Sequence, residues 1–314
     1  MLSRRNVRIK VMQLLYMKNR SEGLDFDRLI RRYRTSINHS YELYLFSLLQ
    51  FSKVLEYANR DAAKRRAKHV PTEEDKLFTE KLANNELSSS LIKNEQFQAK
   101  VKSHKLTARI QGDNTRMLYT EFSKAEEYKT YLRQESTFQD HQQILLTLFK
   151  FCVNSELYND LLEDFSATWI DDKSLVVGTI KKTIRALPAQ ESFLDAFQPS
   201  SETTSFGEEL LRYVYYDNKD LLEVIEPVLK NWDADRVAII DMILLKMALS
   251  ELLHFPTIPT KVTLNEFVEI SKLYSTDKSK DFINGILDRL MKQLNKDGKI
   301  NKEGRGLKDL ALSY

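Results

Sequence analysis

Residues 233–294 read DADRVAIIDMILLKMALSELLHFPTIPTKVTLNEFVEISKLYSTDKSKDFINGILDRLMKQL. Asp233 stands at an N-cap position, and Asp235 follows as a first-turn acid that suits the helix dipole. From Val237 to Leu253 apolar residues fall on nearly every face: Ile239, Ile240, Met242, Ile243, Leu244, Leu245, Met247, Ala248, Leu249 and Leu252. A helix that is apolar all round is a buried one, so this stretch predicts the central helix of a domain. Pro256 and Pro259 enforce a turn. Thr263 or Asn265 then opens a helix to Tyr274, and Ser279 caps a last one reading FINGILDRLMKQL.

Working outward, the pattern stays helical. Phe206 to Tyr216 and Lys219 to Asn231 predict two helices before the central one. At the other end, Val7, Val11, Leu14 and Leu15 form one stripe at helical spacing over Arg4–Lys18, with Ser3 as N-cap and Gly23 as terminator. A short helix is expected over about 24–35 and a long one over about 38–68, ending in the cations Lys64, Arg65, Arg66 and Lys68. Those cations suit a helix C-terminus. Residues 72–187 add further amphipathic helices, with a break around Gly112, and the stretch from Gln190 to Ser205 has the Pro and Ser/Thr content of a linker. No run alternates as a strand does. The expectation is an all-α chain.

Composition bounds the function. The chain has 314 residues, 42% of them apolar and 30% charged, with one cysteine. That length allows about two domains of roughly 100–200 residues. A lone Cys152, between Phe151 and Val153, excludes a disulfide framework and reads as a buried small side chain. The same usage, with no signal-peptide pattern and no run of about 18 apolar residues, predicts a soluble cytoplasmic protein without membrane contact. His39, His69, His104, His141 and His254 are scattered, and no phosphate-binding loop, dinucleotide turn or nucleophile elbow occurs. NKDGKINKEG lacks the ligand series of a calcium loop. No catalytic residue, metal or cofactor is expected.

The formal net charge is only +3, yet it is unevenly spread. Residues 1–70 hold 16 Lys/Arg against 6 Asp/Glu, and residues 151–240 hold 8 against 17. A basic end suits phosphate binding, where each contact releases counterions, although charge runs are also commonly solvated helix faces.

The C-terminal stretch resembles the NusB transcription antitermination family. The resemblance rests on Trp232, Arg236, Asp241, Ala248, Glu251, Pro259, Val262, Asn265, Glu266, Lys272, Tyr274 and Ser279, and on the block Phe282-x-Asn284-Gly285-x-Leu287-Asp288. At the N-terminus, basic residues followed by Gln13, Leu14, Leu15 and Tyr16 are similar to that family's first helix. The resemblance covers residues 1–36 and 206–294. It implies an all-α, NusB-like helical bundle with additional helices, 37–205, inserted between the second and third family helices; the glycines and cations over 295–314 separately predict a basic mobile tail.

What the resemblance further implies is an RNA-binding protein without catalysis. Members of the family bind boxA-type single-stranded leader RNA together with NusE, a ribosomal small-subunit protein, in an antitermination complex on RNA polymerase that supports rRNA transcription. The fold also heads some ribosomal RNA methyltransferases, but no motif of their catalytic domain occurs here. The expected RNA-binding residues are Arg4, Arg5, Arg8 and Lys10 on the first helix, Arg4 and Arg8 sharing a face at i, i+4. Lys278 and Lys280 open the last helix, where free N–H groups favour phosphate. Tyr16 and Phe282 either stack on bases or pack into the core. Glu251, Asn265 and Glu266 are expected to be structural or partner-facing. The alternative from another class is a helical protein-interaction scaffold whose RNA surface is vestigial.

Overall fold

In the computed structural model, residues 2–21, 23–229, 237–304, 306 and 307 are described. Among them all regular structure is helical, in the order α1 (Arg4–Arg20), α2 (Phe26–Arg66), α3 (Glu73–Leu77), α4 (Lys81–Asn84), α5 (Glu86–Ile92), α6 (Glu95–Ser103), α7 (Gly112–Phe122), α8 (Glu126–Arg133), α9 (Phe138–Asn154), α10 (Glu156–Phe165) and α11 (Trp169–Arg185). They are followed by α12 (Ser201–Tyr216), α13 (Asn218–Ile225), α14 (Ile239–His254), α15 (Thr260–Tyr274) and α16 (Ser279–Lys296). The chain divides into two compact units, one holding residues 38–199 and the other residues 2–37 and 200 onward.

The unit of residues 38–199 is built on the apolar face of α2, where Leu45, Leu48, Leu49, Val54 and Leu55 are buried in one cluster with Phe149, Tyr158 and Ile180. Of the polar groups inside it, Tyr44 pairs with Thr183 and Ser47 with Tyr158, whereas the Tyr41 hydroxyl and the Gln50 amide are buried without a hydrogen bond among the described residues. The cations at the end of α2 do more than answer a dipole. Arg65 donates to Asp61 at 2.7 Å and lies over the Phe78 ring, Lys68 donates to Asp75 at 2.6 Å, and Arg66 pairs with Glu80. They close the end of α2 onto α3, whose Thr72–Asp75 capping box starts the new helix.

In the second unit α14 is the buried element, with Leu244, Leu245, Met247, Ala248, Leu249 and Leu252 all at 0% exposure. α1 lays Val7, Val11, Leu14 and Leu15 against α12 and α14, and α15 and α16 complete the surround. Gly207 on α12 lets this packing close. A Cβ there would stand 2.4 Å from Val7 Cγ1 and 2.1 Å from the Tyr33 hydroxyl.

Several boundaries differ from expectation. α2 is continuous where two helices were expected. Thr35 and Ser36 donate back to the Arg31 and Tyr33 carbonyls of their own helix, so the hydroxyls do not break it. The expected linker is mostly ordered, with a 3-10 turn over Phe193–Phe197 and α12 beginning at Ser201. α14 starts at Ile239 behind Ala238, and the expected cap Asp233, like Asp235, Trp232 and Arg236, lies outside the described residues. α15 starts at Thr260, and Ser279 is inside α16 rather than capping it, because Thr263 and Ser279 spend their hydroxyls on distant carboxylates. The described part of the tail is docked. Gly298 (φ +65°) ends α16 with Lys299 N–H returned to the Leu294 carbonyl. Lys302 then donates to the Phe255 carbonyl and the Glu303 N–H to that of Pro256.

Candidate nucleic-acid interface

The basic start of α1 is held by a reciprocal cap. Ser3 Oγ accepts from the Asn6 N–H while Asn6 Oδ1 accepts from the Ser3 N–H. This fixes the helical phase of the arginines that follow, and the three do not share one environment. Arg4 is 40% exposed and donates to Glu202 at 2.9 Å. Arg5 is 45% exposed and grips Glu266 with Nε and Nη2 at 2.8 and 2.7 Å, a contact that raises its pKa further.

Arg8 turns inward. It is 2% exposed, and its Nε and Nη2 both lie 2.7 Å from the oxygens of Glu251, which is fully buried. Thr263 donates to the same carboxylate at 2.8 Å, and the guanidinium lies over the Phe206 and Phe267 rings. A buried carboxylate so satisfied, against an arginine so enclosed, ties α1, α14 and α15 together. The expected phosphate grip by Arg4 and Arg8 is therefore corrected: Arg8 is a structural group, and only Arg4 and Arg5 of this set reach the surface. Lys10, 5% exposed, is likewise buried. Tyr16 is half-buried, its ring carrying the Arg20 guanidinium 5.5 Å from the centroid.

At the other candidate locus, Lys278 and Lys280 are exposed at the start of α16, Lys280 3.8 Å from Asp281, and Phe282 is half-buried. The turn beneath is anchored by Asp241 of α14, whose two oxygens accept from Ser275 at 2.6 Å and Ser279 at 2.7 Å. Chain connectivity brings Lys278, Lys280 and Phe282 to one turn, as the α1 cap brings Arg4 and Arg5 to another.

These polar ties sit within the region that known proteins share with this one. The model of the NusB family matches residues 172–292. Residues 172–292 thus carry a NusB-family domain. It is 43% identical over 105 residues to the transcription antitermination protein NusB of Salinibacter ruber, covering 33% of this chain and 66% of that protein. To the NusB of Chloroherpeton thalassium it is 49% identical over 80 residues, 26% of this chain and 38% of the relative. To that of Natranaerobius thermophilus it is 50% identical over 74 residues, 24% of this chain and 53% of the relative. The matches thus span less than two thirds of each relative's own length. No solved structure matches the chain.

Within the NusB-family region the motif residues Asp241, Glu251 and Ser279, and Thr263 beside them, are buried hydrogen-bonding partners of one another or of Arg8. Surface chemistry lies elsewhere, and one part of it was missed from the sequence. On α2, Arg28, Arg31 and Arg32 are exposed at i, i+3, i+4, while Leu29 and Tyr33 of the same turns are buried. Arg28 approaches Asp25 at 3.7 Å and Arg34 is taken by Glu208, but Arg31 and Arg32 have no carboxylate partner among the described residues. The spacing in RLIRRYR was the available signal.

Proposed function

We propose that this protein is a transcription antitermination factor that binds boxA-type single-stranded leader RNA together with NusE, within an antitermination complex on RNA polymerase in the cytoplasm. The observation that carries the reading is the identity of 43–50% to proteins named as NusB antitermination factors. The RNA-binding domain comprises residues 1–36 and 206–294 with 37–205 inserted, a reading supported by the compact unit of residues 2–37 and 200 onward. The phosphate contacts come from the surface cations Arg4, Arg5, Arg31, Arg32, Lys278 and Lys280, and Tyr16 and Phe282 supply rings for unpaired bases. Arg4 exchanges the exposed Glu202 carboxylate and Arg5 the half-buried Glu266 carboxylate for phosphates, whereas Arg31 and Arg32 have no such partner among the described residues.

The test is a titration of the protein, alone and with NusE, against a boxA RNA and a scrambled control at two salt concentrations. Selective binding that tightens with NusE is expected. Arg31→Glu with Arg32→Glu should weaken it and lower the salt slope by about one for each phosphate no longer neutralised. Equal, weak binding of both RNAs overturns the reading. That outcome favours the interaction scaffold, for which the exposed Val70, Met117, Phe138 and Ile170 of the 38–199 unit provide apolar contact points.

A further inference from the structure

One concavity of the unit that holds α1 and α12–α16 is not used by the reading above. It has a volume of about 780 Å³ and lies among the end of α1, the α12–α13 junction and the start of α14. Leu15, Val214, Met242 and Ile243 give it apolar walls, and Tyr215 adds an aromatic one. Among the described residues its charged lining is of one sign: Lys18 and Lys246 contribute ammonium groups, and none of those lining it is acidic.

Lys246 is the informative residue. It projects from α14, is half-buried, and donates to the neutral Asn218 amide oxygen at 2.7 Å. Burial lowers its pKa, and the opposing influence of the Glu226 charge is the smaller of the two. A half-buried cation held by a neutral amide, with no carboxylate in contact among the described residues, is incompletely compensated, and an anion entering the cavity would complete it. Apolar and aromatic walls with a few convergent polar groups, in a volume of several hundred Å³, are the ordinary make-up of a small-ligand site.

We propose that this cavity binds a mononucleotide unit, its phosphate on Lys246 and Lys18 and its base against Tyr215, Val214 and Met242. The same chemistry is offered by a free nucleoside monophosphate and by one nucleotide of an RNA strand. Only the second source rests on the RNA-binding reading.

Calorimetric titration of the full chain with UMP, AMP, uridine and inorganic phosphate tests the site directly. Saturable one-to-one binding of UMP or AMP is expected, with uridine and phosphate each weaker by about tenfold or more, since each carries only one of the two recognised groups. Lys246→Met should weaken nucleotide binding by about tenfold or more, and Lys246→Arg should largely keep it. Asn218→Asp is the second variant: it sets a carboxylate against the Lys246 ammonium without removing packing, and should abolish binding in a chain of unchanged melting temperature. Competition of UMP with a boxA oligonucleotide assigns the site to an RNA nucleotide, and simultaneous binding assigns it to the free one. Absence of saturable UMP and AMP binding at millimolar concentration overturns the proposal, as does binding unaltered in both Lys246→Met and Asn218→Asp. RNA binding that persists alongside either result leaves the antitermination reading standing and removes only this site.

Discussion

Arg8 and Glu251, 243 positions apart in the chain, meet in a buried bidentate pair with both hydrogen bonds at 2.7 Å. Removing one partner strands the other's charge in the interior, which typically destabilises by about 3–5 kcal/mol. Arg8→Ala and Glu251→Ala are each expected to be destabilised by that much in urea denaturation. The double variant should fall far short of their sum, because neither charge is then left uncompensated. Arg5→Ala, by contrast, breaks a half-exposed pair and should change stability by less than about 1 kcal/mol. Equal effects of Arg5→Ala and Arg8→Ala would contradict the burial that separates them.

Gly207 is fixed by space rather than by backbone angle. Any side chain there meets Val7 and Tyr33 at once, so Gly207→Ala should cost about 3 kcal/mol or more. Val7→Ala in the same chain should restore only part of this, since Tyr33 Cζ would still lie 2.6 Å from the added carbon. Thermal melts of the two variants check both statements.

The helices were readable because their apolar residues keep helical register, and α14 because it is apolar all round. What could not be read locally was the use of polar side chains over long sequence distances. Ser279 and Thr263 look like caps, yet their hydroxyls serve Asp241 and Glu251. Thr35 and Ser36 look like a break, yet they bond within α2. Arg8 looks like one more cation in a basic run. Its register with Val11 and Leu15, at i, i+3, i+7, already put it on the buried stripe, and that was the overlooked signal. Arg31 and Arg32 escaped notice for the opposite reason. Within the basic residues 1–70, Arg4, Arg5 and Arg8 of α1 are all matched by glutamates of later helices, so the unmatched charge falls on α2.

Asp75 couples the 38–199 unit to pH. The Lys68 ammonium at 2.6 Å and the Thr72 N–H and hydroxyl hold its carboxyl well below the usual carboxylate range. Because the folded state favours the ionised form, this stabilisation is complete above the ordinary carboxylate pKa near 4, and it is lost as pH falls toward the lowered native value. Asp75→Asn should therefore be less stable than the parent at pH 7, with the difference narrowing below about pH 4. Urea midpoints of both chains at pH 7, 5 and 3.5 measure it. A difference that stays constant across that range would mean that the carboxylate is not what Lys68 and Thr72 hold.

Cys152, near the end of α9, is a built-in reporter of the same unit. It is fully buried, and burial pushes its thiol up to about 12. The thiolate is the reactive form, so at pH 8 the native chain should react with a maleimide at least about a thousandfold more slowly than an exposed cysteine. The rate should rise with urea, following the opening of α9 rather than the chemistry of the reagent, and should be insensitive to reagent size. Rapid stoichiometric labelling in buffer alone would show that Phe149 and the residues around it leave the thiol accessible, and the packing of the 38–199 core would have to be redrawn at that point.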